Sequence, residues 1–349
     1  MKKENVYWQV KKSIDLSKFP AINGYDFEDK FDFDRFIASF STTGIQATEL
    51  GKAITLANAM IREKVPLFLS FTSNMISSGI RDSIRFLVKN SFVKVLCTSA
   101  GGIEEDITQA FMLHRVGTFD AKGEHLLDAG LGRIGNIYTS NEHYTKLEFF
   151  LRKVFEELQK RKGKDNNRSN SAVSPSEICA LMGEMISKEK EAEFESCYLY
   201  WAYKNNIPVY CPAIVDGSFG DILYFYNKSL GRDPIIIDIA KDHQRIIDYV
   251  LSCEKTAAIV LGGGVAKHYV LNANIFKEGL DYAIYISTAD FYDASDSGGN
   301  QEEAVSWAKI RTDAPRVKVH CDASIAFPLL MAGSFARHFR ERKTRPGKP

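Results

Sequence analysis

Residues 257–268 read AAIVLGGGVAKH. Five apolar residues in succession have the length of a strand buried on both faces. Gly262, Gly263 and Gly264 follow at once, and Val265-Ala266-Lys267-His268 opens a helix-like run. Glycines at such a junction let backbone N–H groups approach a phosphate or ribose. They also permit tight packing of strand against helix, which is reason enough for one such junction taken alone.

The same unit recurs along the chain. PLFLSF (66–71) runs into TSNMISSG (72–79), and FVKVLC (92–97) into TSAGGIEED (98–106). PVYC (208–211) precedes DGSFGD (216–221), Ile235-Ile236-Ile237 is expected as a further strand, and VKVHC (317–321) precedes Asp322-Ala323-Ser324. Strands alternating with helical stretches predict an α/β fold, a doubly wound parallel sheet with helices on both faces. Ligands of such sheets bind beyond the carboxyl ends of the strands. Here those ends carry Ser, Asn, Gly, Glu and Asp repeatedly. Apolar spacing predicts helices over 44–64 and 147–158. The second belongs to a helical insertion covering the sheet, so residues 41–340 are expected to form one catalytic domain. Residues 161–173 are polar and rich in Gly, Asn and Ser, and are expected as a mobile surface loop. Ser174-Pro175-Ser176-Glu177 then reads as an N-cap serine, a first-turn proline and a capping-box glutamate. Residues 1–40 mix aromatics and charges without a period and are expected to be an arm, and 341–349 a basic tail.

A formal net charge of +1 over 349 residues gives no strong field for nucleic acid or membrane, and 45% hydrophobic content is enough for a large core. The opening MKKENVYWQV is too polar for a secretory signal, and no apolar run reaches membrane-spanning length. Six cysteines without a CxxC pair, several in apolar runs, fit reduced thiols of a cytoplasmic protein. Seven histidines show no metal-binding spacing, and no metal is expected. GLGRIG (130–135) matches GxGxxG but lacks the preceding strand and the following apolar helix, so it reads as a structural turn.

The chemistry concentrates in DYAIYISTADFYDASDSGGNQEEAVSWAKI (281–310). A buried strand leads into a loop holding Asp290, Asp293, Asp296, Ser295 and two glycines, and the segment ends on Glu303, Trp307 and Lys309. Acids can hold a cation, Trp307 can offer it a π face, and a lysine in a crowded, dry site can attack a carbonyl or imine.

The segments SNMISSG, TSAGGIEED, PAIVDGSFGD, LGGGVAKH with NAN, STADFYDASDSG, EAVSWAKI and HCDAS, in this order, resemble deoxyhypusine synthase. The resemblance runs from roughly Gln46 to Ser334. It implies a Rossmann-like sheet in one domain, tetramers with active sites between subunits, and NAD as cofactor. It also implies transfer of spermidine's aminobutyl group to one lysine of the hypusine-bearing translation initiation factor precursor. Carried over residue by residue, it makes Lys309 the nucleophile that holds the butylimine, and His268 the group that takes the proton as NAD removes the hydride. Ser73, Asn74, Met75, Ile76, Ser77, Ser99, Ala100, Gly101, Glu105, Asp216, Gly263, Thr288, Ala289, Asp322 and Ala323 match cofactor positions. Glu104, Asp221, His268, Asn272, Ser295, Asp296, Glu303 and Trp307 match polyamine positions, with Glu105 close to both. Ala294 stands at a polyamine-side position where many members have glycine.

Two alternatives share this machinery. A homospermidine synthase would use putrescine as acceptor. A catalytically weak regulatory subunit of a paralogous enzyme would have lost site residues, yet Lys309, His268, Glu303, Asp221 and Trp307 are all present.

Overall fold

Six of the apolar runs pair into one parallel sheet. The structure, a computed structural model, describes residues 13–164, 172–231 and 233–344. Its strands are β1 (Leu67–Phe71), β2 (Val95–Cys97), β3 (Arg115–Val116), β4 (Leu131–Ile134), β5 (Ile137–Ser140), β6 (Val209–Tyr210), β7 (Ala257–Leu261), β8 (Tyr282–Ile286) and β9 (Arg316–Val319). The spatial order of the main sheet is β6-β2-β1-β7-β8-β9. The chain builds outward from β1 in one direction and then returns to build from β7 in the other. Leu69 lies opposite Leu96 and Ile259, and Ile259 opposite Ile284.

Alternate residues of each strand enter different cores. Leu67, Leu69, Phe71, Ile259 and Ile284 pack with helices Ile45–Glu63, Ile80–Lys89, Asn141–Lys164 and Ala323–Gly333. Phe68, Ala258, Val260, Ala283 and Tyr285 pack with helices Ile239–Ser252 and Gly264–Ala273 on the other face. Both faces are therefore dry, which is why the strands read as unbroken apolar runs.

Several expectations are corrected. Ile235-Ile236-Ile237 adds no strand to the sheet. The Asn227 side chain takes both backbone groups of Ile235, at 2.9 and 3.1 Å, and Ile237 makes one isolated bridge to Val173. The insertion is not purely helical, because β3, β5 and β4 form a small antiparallel sheet. GLGRIG lies in its hairpin, with Gly130 and Gly135 at φ +67° and +59°, where glycine is favoured. Arg161 is helical and paired with Glu157 and Glu184, both at 3.0 Å, so the expected loop begins later. Its residues 165–171 lie outside the described residues, as do 1–12 of the arm and 345–349 of the tail. From Phe33 the arm gives way to helix Phe33–Thr43, capped by Asp32. The basic tail is helical as far as Thr344, held by buried Phe335 and by Phe339 edge-on to Phe86. The capping box at Ser174 and Glu177 forms as read. No described helix is long and apolar enough to cross a membrane.

One buried carboxylate locks the sheet's helices together. Asp106 accepts from Arg81 Nε at 2.7 Å and from the backbone N–H groups of Tyr198 and Leu199 at 3.3 and 3.0 Å. It thus satisfies the start of helix Tyr198–Lys204 while gripping helix Ile80–Lys89. Helix Ala100–Phe111, which carries Asp106, also carries Glu104 and Glu105. Replacing Arg81 with methionine should leave a buried, unpaired charge and cost ~3–5 kcal/mol of stability. Urea unfolding of Arg81→Met against the parent measures this; a loss below ~1 kcal/mol would mean the pair is dispensable.

Candidate active site

The residues expected to hold a cofactor fall at the carboxyl ends of the six parallel strands. Ser73 to Ser77 follow β1 and include the short helix Asn74–Ser77. Ser99, Ala100 and Gly101 follow β2, with Ser99 preceding helix Ala100–Phe111. Asp216 follows β6, Gly263 follows β7, Thr288 and Ala289 follow β8, and Asp322 and Ala323 follow β9. Neighbouring ends touch. Thr72 donates its N–H to the Leu261 carbonyl at 3.2 Å, and Gly262 donates to Ile286 at 2.9 Å. A Cβ on Gly101 would stand 2.9 Å from Ser73 Cβ, so the β1 and β2 ends meet at a glycine. Gly263 is close-packed too, but against the backbone of Ser297 in the following loop. Its missing side chain makes room for that loop. Asp322 spends one carboxylate oxygen on the N–H of Ser324, at 2.7 Å, as the cap of its own helix.

Two acids lie side by side under this edge. Burial pushes the Glu105 carboxyl up to about 7, against the pull of its hydrogen bond from the Ser77 hydroxyl. Burial also raises Glu104, although the N–H of Phe219 donates to it at 2.7 Å. The negative charges of Asp216 and Asp221 add to the upward push on Glu104, which places these acids in one electrostatic neighbourhood.

The second cluster is built by β7, β8 and the segments after them. Helix Gly264–Ala273 supplies Lys267 and His268, with Asn272 one turn beyond His268. Helix Gln301–Ser306 starts on an Asn300 cap and carries Glu303. Trp307 and Ala308 then end it, Ala308 at φ +55°, and this reversal turns Lys309 inward. Lys309 is only 9% exposed, whereas Trp307 is 65% exposed. Lys309 Nζ lies 3.5 Å from His268 Nδ1, which lies 3.2 Å from Asp296 Oδ1. The other Asp296 oxygen is buried without a hydrogen-bond partner. Glu303 approaches Lys267, since both border the space where a Gly299 side chain would stand. Ala294 adopts φ +60°, a left-handed conformation that glycine takes freely. The alanine there is tolerated at a cost in backbone strain.

Three participants escape a sequence reading. Buried Lys267 and half-buried Lys318 set their ammonium groups against loop carbonyls, and burial lowers both pKa values. A lysine between two valines of a buried strand was the available signal for Lys318. Tyr285 lies under Lys267, 5.2 Å from its ring centre, with its hydroxyl unpartnered. Nothing in the run AIYI marks that tyrosine out from core.

Comparison with known proteins gives one family. The family model for deoxyhypusine synthase matches residues 35–334. Deoxyhypusine synthase of Musa acuminata is 41% identical, over 98% of this chain and 94% of that one. Homospermidine synthase 2 of Senecio vernalis is also 41% identical, over 90% and 89%. A solved structure described as “a putative deoxyhypusine synthase from Entamoeba histolytica” superposes with TM-score 0.65 at 29% identity, over 90% of this chain and 97% of that one. A buried lysine beside a histidine and an acid, on this sheet and in this sequence context, leads to one conclusion: the chain belongs to the deoxyhypusine synthase family and is an enzyme of the aminobutyl-transferase class.

Proposed function

We propose that this chain is an NAD-dependent enzyme that moves the aminobutyl group of spermidine onto one lysine of the hypusine-bearing translation initiation factor precursor, through an imine on Lys309. The observation that carries the reading is the line from buried Lys309 through exposed His268 to half-buried Asp296, at 3.5 and 3.2 Å. Attack by a lysine needs the free amine, and His268 Nδ1 is placed to accept the proton it gives up. That nitrogen serves one neighbour at a time. Bare, it accepts from Lys309; protonated, it donates to Asp296, whose charge holds the ring in place.

The same residues suit a flexible polycation. Asp296, Asp221 and Glu303 take its ammonium ends by charge-assisted hydrogen bonds. Trp307 covers its hydrocarbon, adding ~0.5–2 kcal/mol where a cation meets the ring. The strand ends fit NAD, because the chain reverses its building direction between β1 and β7 and the β1 and β2 ends meet at Gly101. NAD, when bound, would supply a hydride acceptor for the carbon beside spermidine's secondary nitrogen and a hydride donor at the end; attack by Lys309 on that oxidised carbon would break its bond to nitrogen and release 1,3-diaminopropane. Ser73–Ser77, Ser99, Thr288 and Asp322 are the groups proposed to orient it. The strand order supports a Rossmann-like winding in one domain. Exposed Trp307, Phe291 and Tyr292 support a tetramer in which a second subunit walls the site. The location proposed is the cytoplasm.

A second reading, homospermidine synthesis with putrescine as acceptor, is favoured by the equal identity to the Senecio vernalis enzyme. Pure protein incubated with NAD, labelled spermidine and either acceptor separates the two. Label on the factor precursor supports the first reading; label on putrescine alone replaces it with the second.

Two further outcomes are expected. Lys309→Arg should keep NAD and spermidine binding but lose transfer, since arginine stays protonated. Borohydride should trap a butylamine adduct on Lys309 of the parent, and an adduct on another lysine would reject the assignment. Glu105 gives a pH signature. Its carboxyl titrates at 4.5 in the unfolded chain and about 7 when folded, so the folded protein holds the proton longer. Its contribution to stability is complete below pH 4.5 and is lost as pH rises through about 7, a change of ~3 kcal/mol. The stability of Glu105→Gln relative to the parent should therefore rise across that window, read by urea unfolding at stepped pH. A difference that stays flat would place the Glu105 titration elsewhere.

A further inference from the structure

The loop that delivers Asp296 leaves β8 after Ile286 and returns at Gly299. Its outer residues, Phe291 to Ser295, are exposed. Its two limbs close on each other at a neck, where Gly298 packs so tightly on the Asp290 carbonyl that a side chain has no room. Lys318, from the neighbouring strand β9, reaches into this neck. Its ammonium donates to the Ala289 carbonyl on the outgoing limb at 3.3 Å and to the Gly298 carbonyl on the returning limb at 2.9 Å. Lys267, one step further in, donates to the Asp296 and Gly299 carbonyls, both on the returning limb. Four backbone carbonyls of one loop thus point at two ammonium groups.

We infer that Lys267 and Lys318 are positioning residues: Lys318 clasps the two limbs of the 289–299 loop at its neck and Lys267 pins the returning limb, so that the Asp296 carboxylate is held against His268 beside Lys309. The clasp follows from the partners of each donor. Neither ammonium pairs with a loop carboxylate at hydrogen-bond distance; Lys267 Nζ is 4.0 Å from Asp296 Oδ2. Both donate to main chain, which fixes the path of the loop and leaves the Asp296 carboxylate for His268 and a substrate amine. Without the donors, buried and half-buried carbonyls lose their partners and the neck opens. The link to substrate rests on the polyamine reading proposed above; the clasp itself does not.

The full-length enzyme with Lys318→Met tests it, with Lys318→Arg and Lys318→Gln alongside. Hydrogen exchange is followed in peptides spanning 290–299, and affinities for spermidine and for NAD are measured by calorimetry. Lys318→Met should speed exchange in this loop at least tenfold with little change elsewhere. It should weaken spermidine about tenfold, the equivalent of one charge-assisted hydrogen bond. The arginine variant, which can still donate to both carbonyls, should recover most of both effects. Lys318→Gln, with a shorter neutral donor, should fall between and serves if the methionine variant does not fold. Unchanged loop exchange overturns the clasp. Loss of NAD affinity with unchanged loop exchange would make Lys318 a ligand contact instead. Faster loop exchange with unchanged spermidine affinity would remove the positioning role. A parent enzyme that binds no spermidine refutes the functional reading, while loop exchange still decides the clasp.

Discussion

A sheet that is dry on both faces can offer polar chemistry only at its ends. Here β1, β7 and β8 are buried at every position, so their side chains are committed to two cores. Each strand therefore hands its chemistry to the loop after it. Because the strands are parallel and in register, those loops converge on one edge. Ser73 and Gly101 are far apart in sequence and neighbours in consequence of that single constraint, and Gly263 and Asp322 follow strands of the same sheet.

Holding charge at such an edge requires partners of opposite or complementary character. Asp106 sits fully buried because Arg81 and two helix N–H groups answer it. Glu105, with a hydroxyl as partner, yields instead by holding its proton to about 7. Lys267 and Lys318 are answered by main-chain carbonyls, and burial lowers their pKa values. Under the proposed function, an amine substrate would meet acids already in place.

The same geometry suits more than one acceptor. Relatives named for deoxyhypusine and for homospermidine synthesis are equally similar to this chain, at 41% identity. Under the proposed function the step on Lys309 would be common to both, and the acceptor would approach from the side where Trp307, Phe291 and Tyr292 are exposed. Specificity between a protein lysine and a free diamine would then reside in what covers that side.

Apolar spacing located the six strands of the main sheet, helix Ile45–Glu63 and the middle of helix Asn141–Lys164, because a buried strand and an amphipathic helix leave different spacings of apolar residues. Local chemistry likewise located the capping box at Ser174 and the inappropriate context of GLGRIG. Motif order located Lys309, His268 and Asp296. What spacing cannot encode is which partner a group finds across the fold. Ile235 looked like a strand, and the Asn227 side chain took its backbone instead. Gly263 looked open to a ligand, and Ser297 packs on it. Lys318 looked like a strand lysine, and its ammonium reaches the neck of a loop some twenty residues away in sequence. Hydrophobic pattern is a property of neighbours along the chain and is legible in one dimension. Hydrogen-bond partnership and pKa depend on distances between remote segments, and only the tertiary structure sets those.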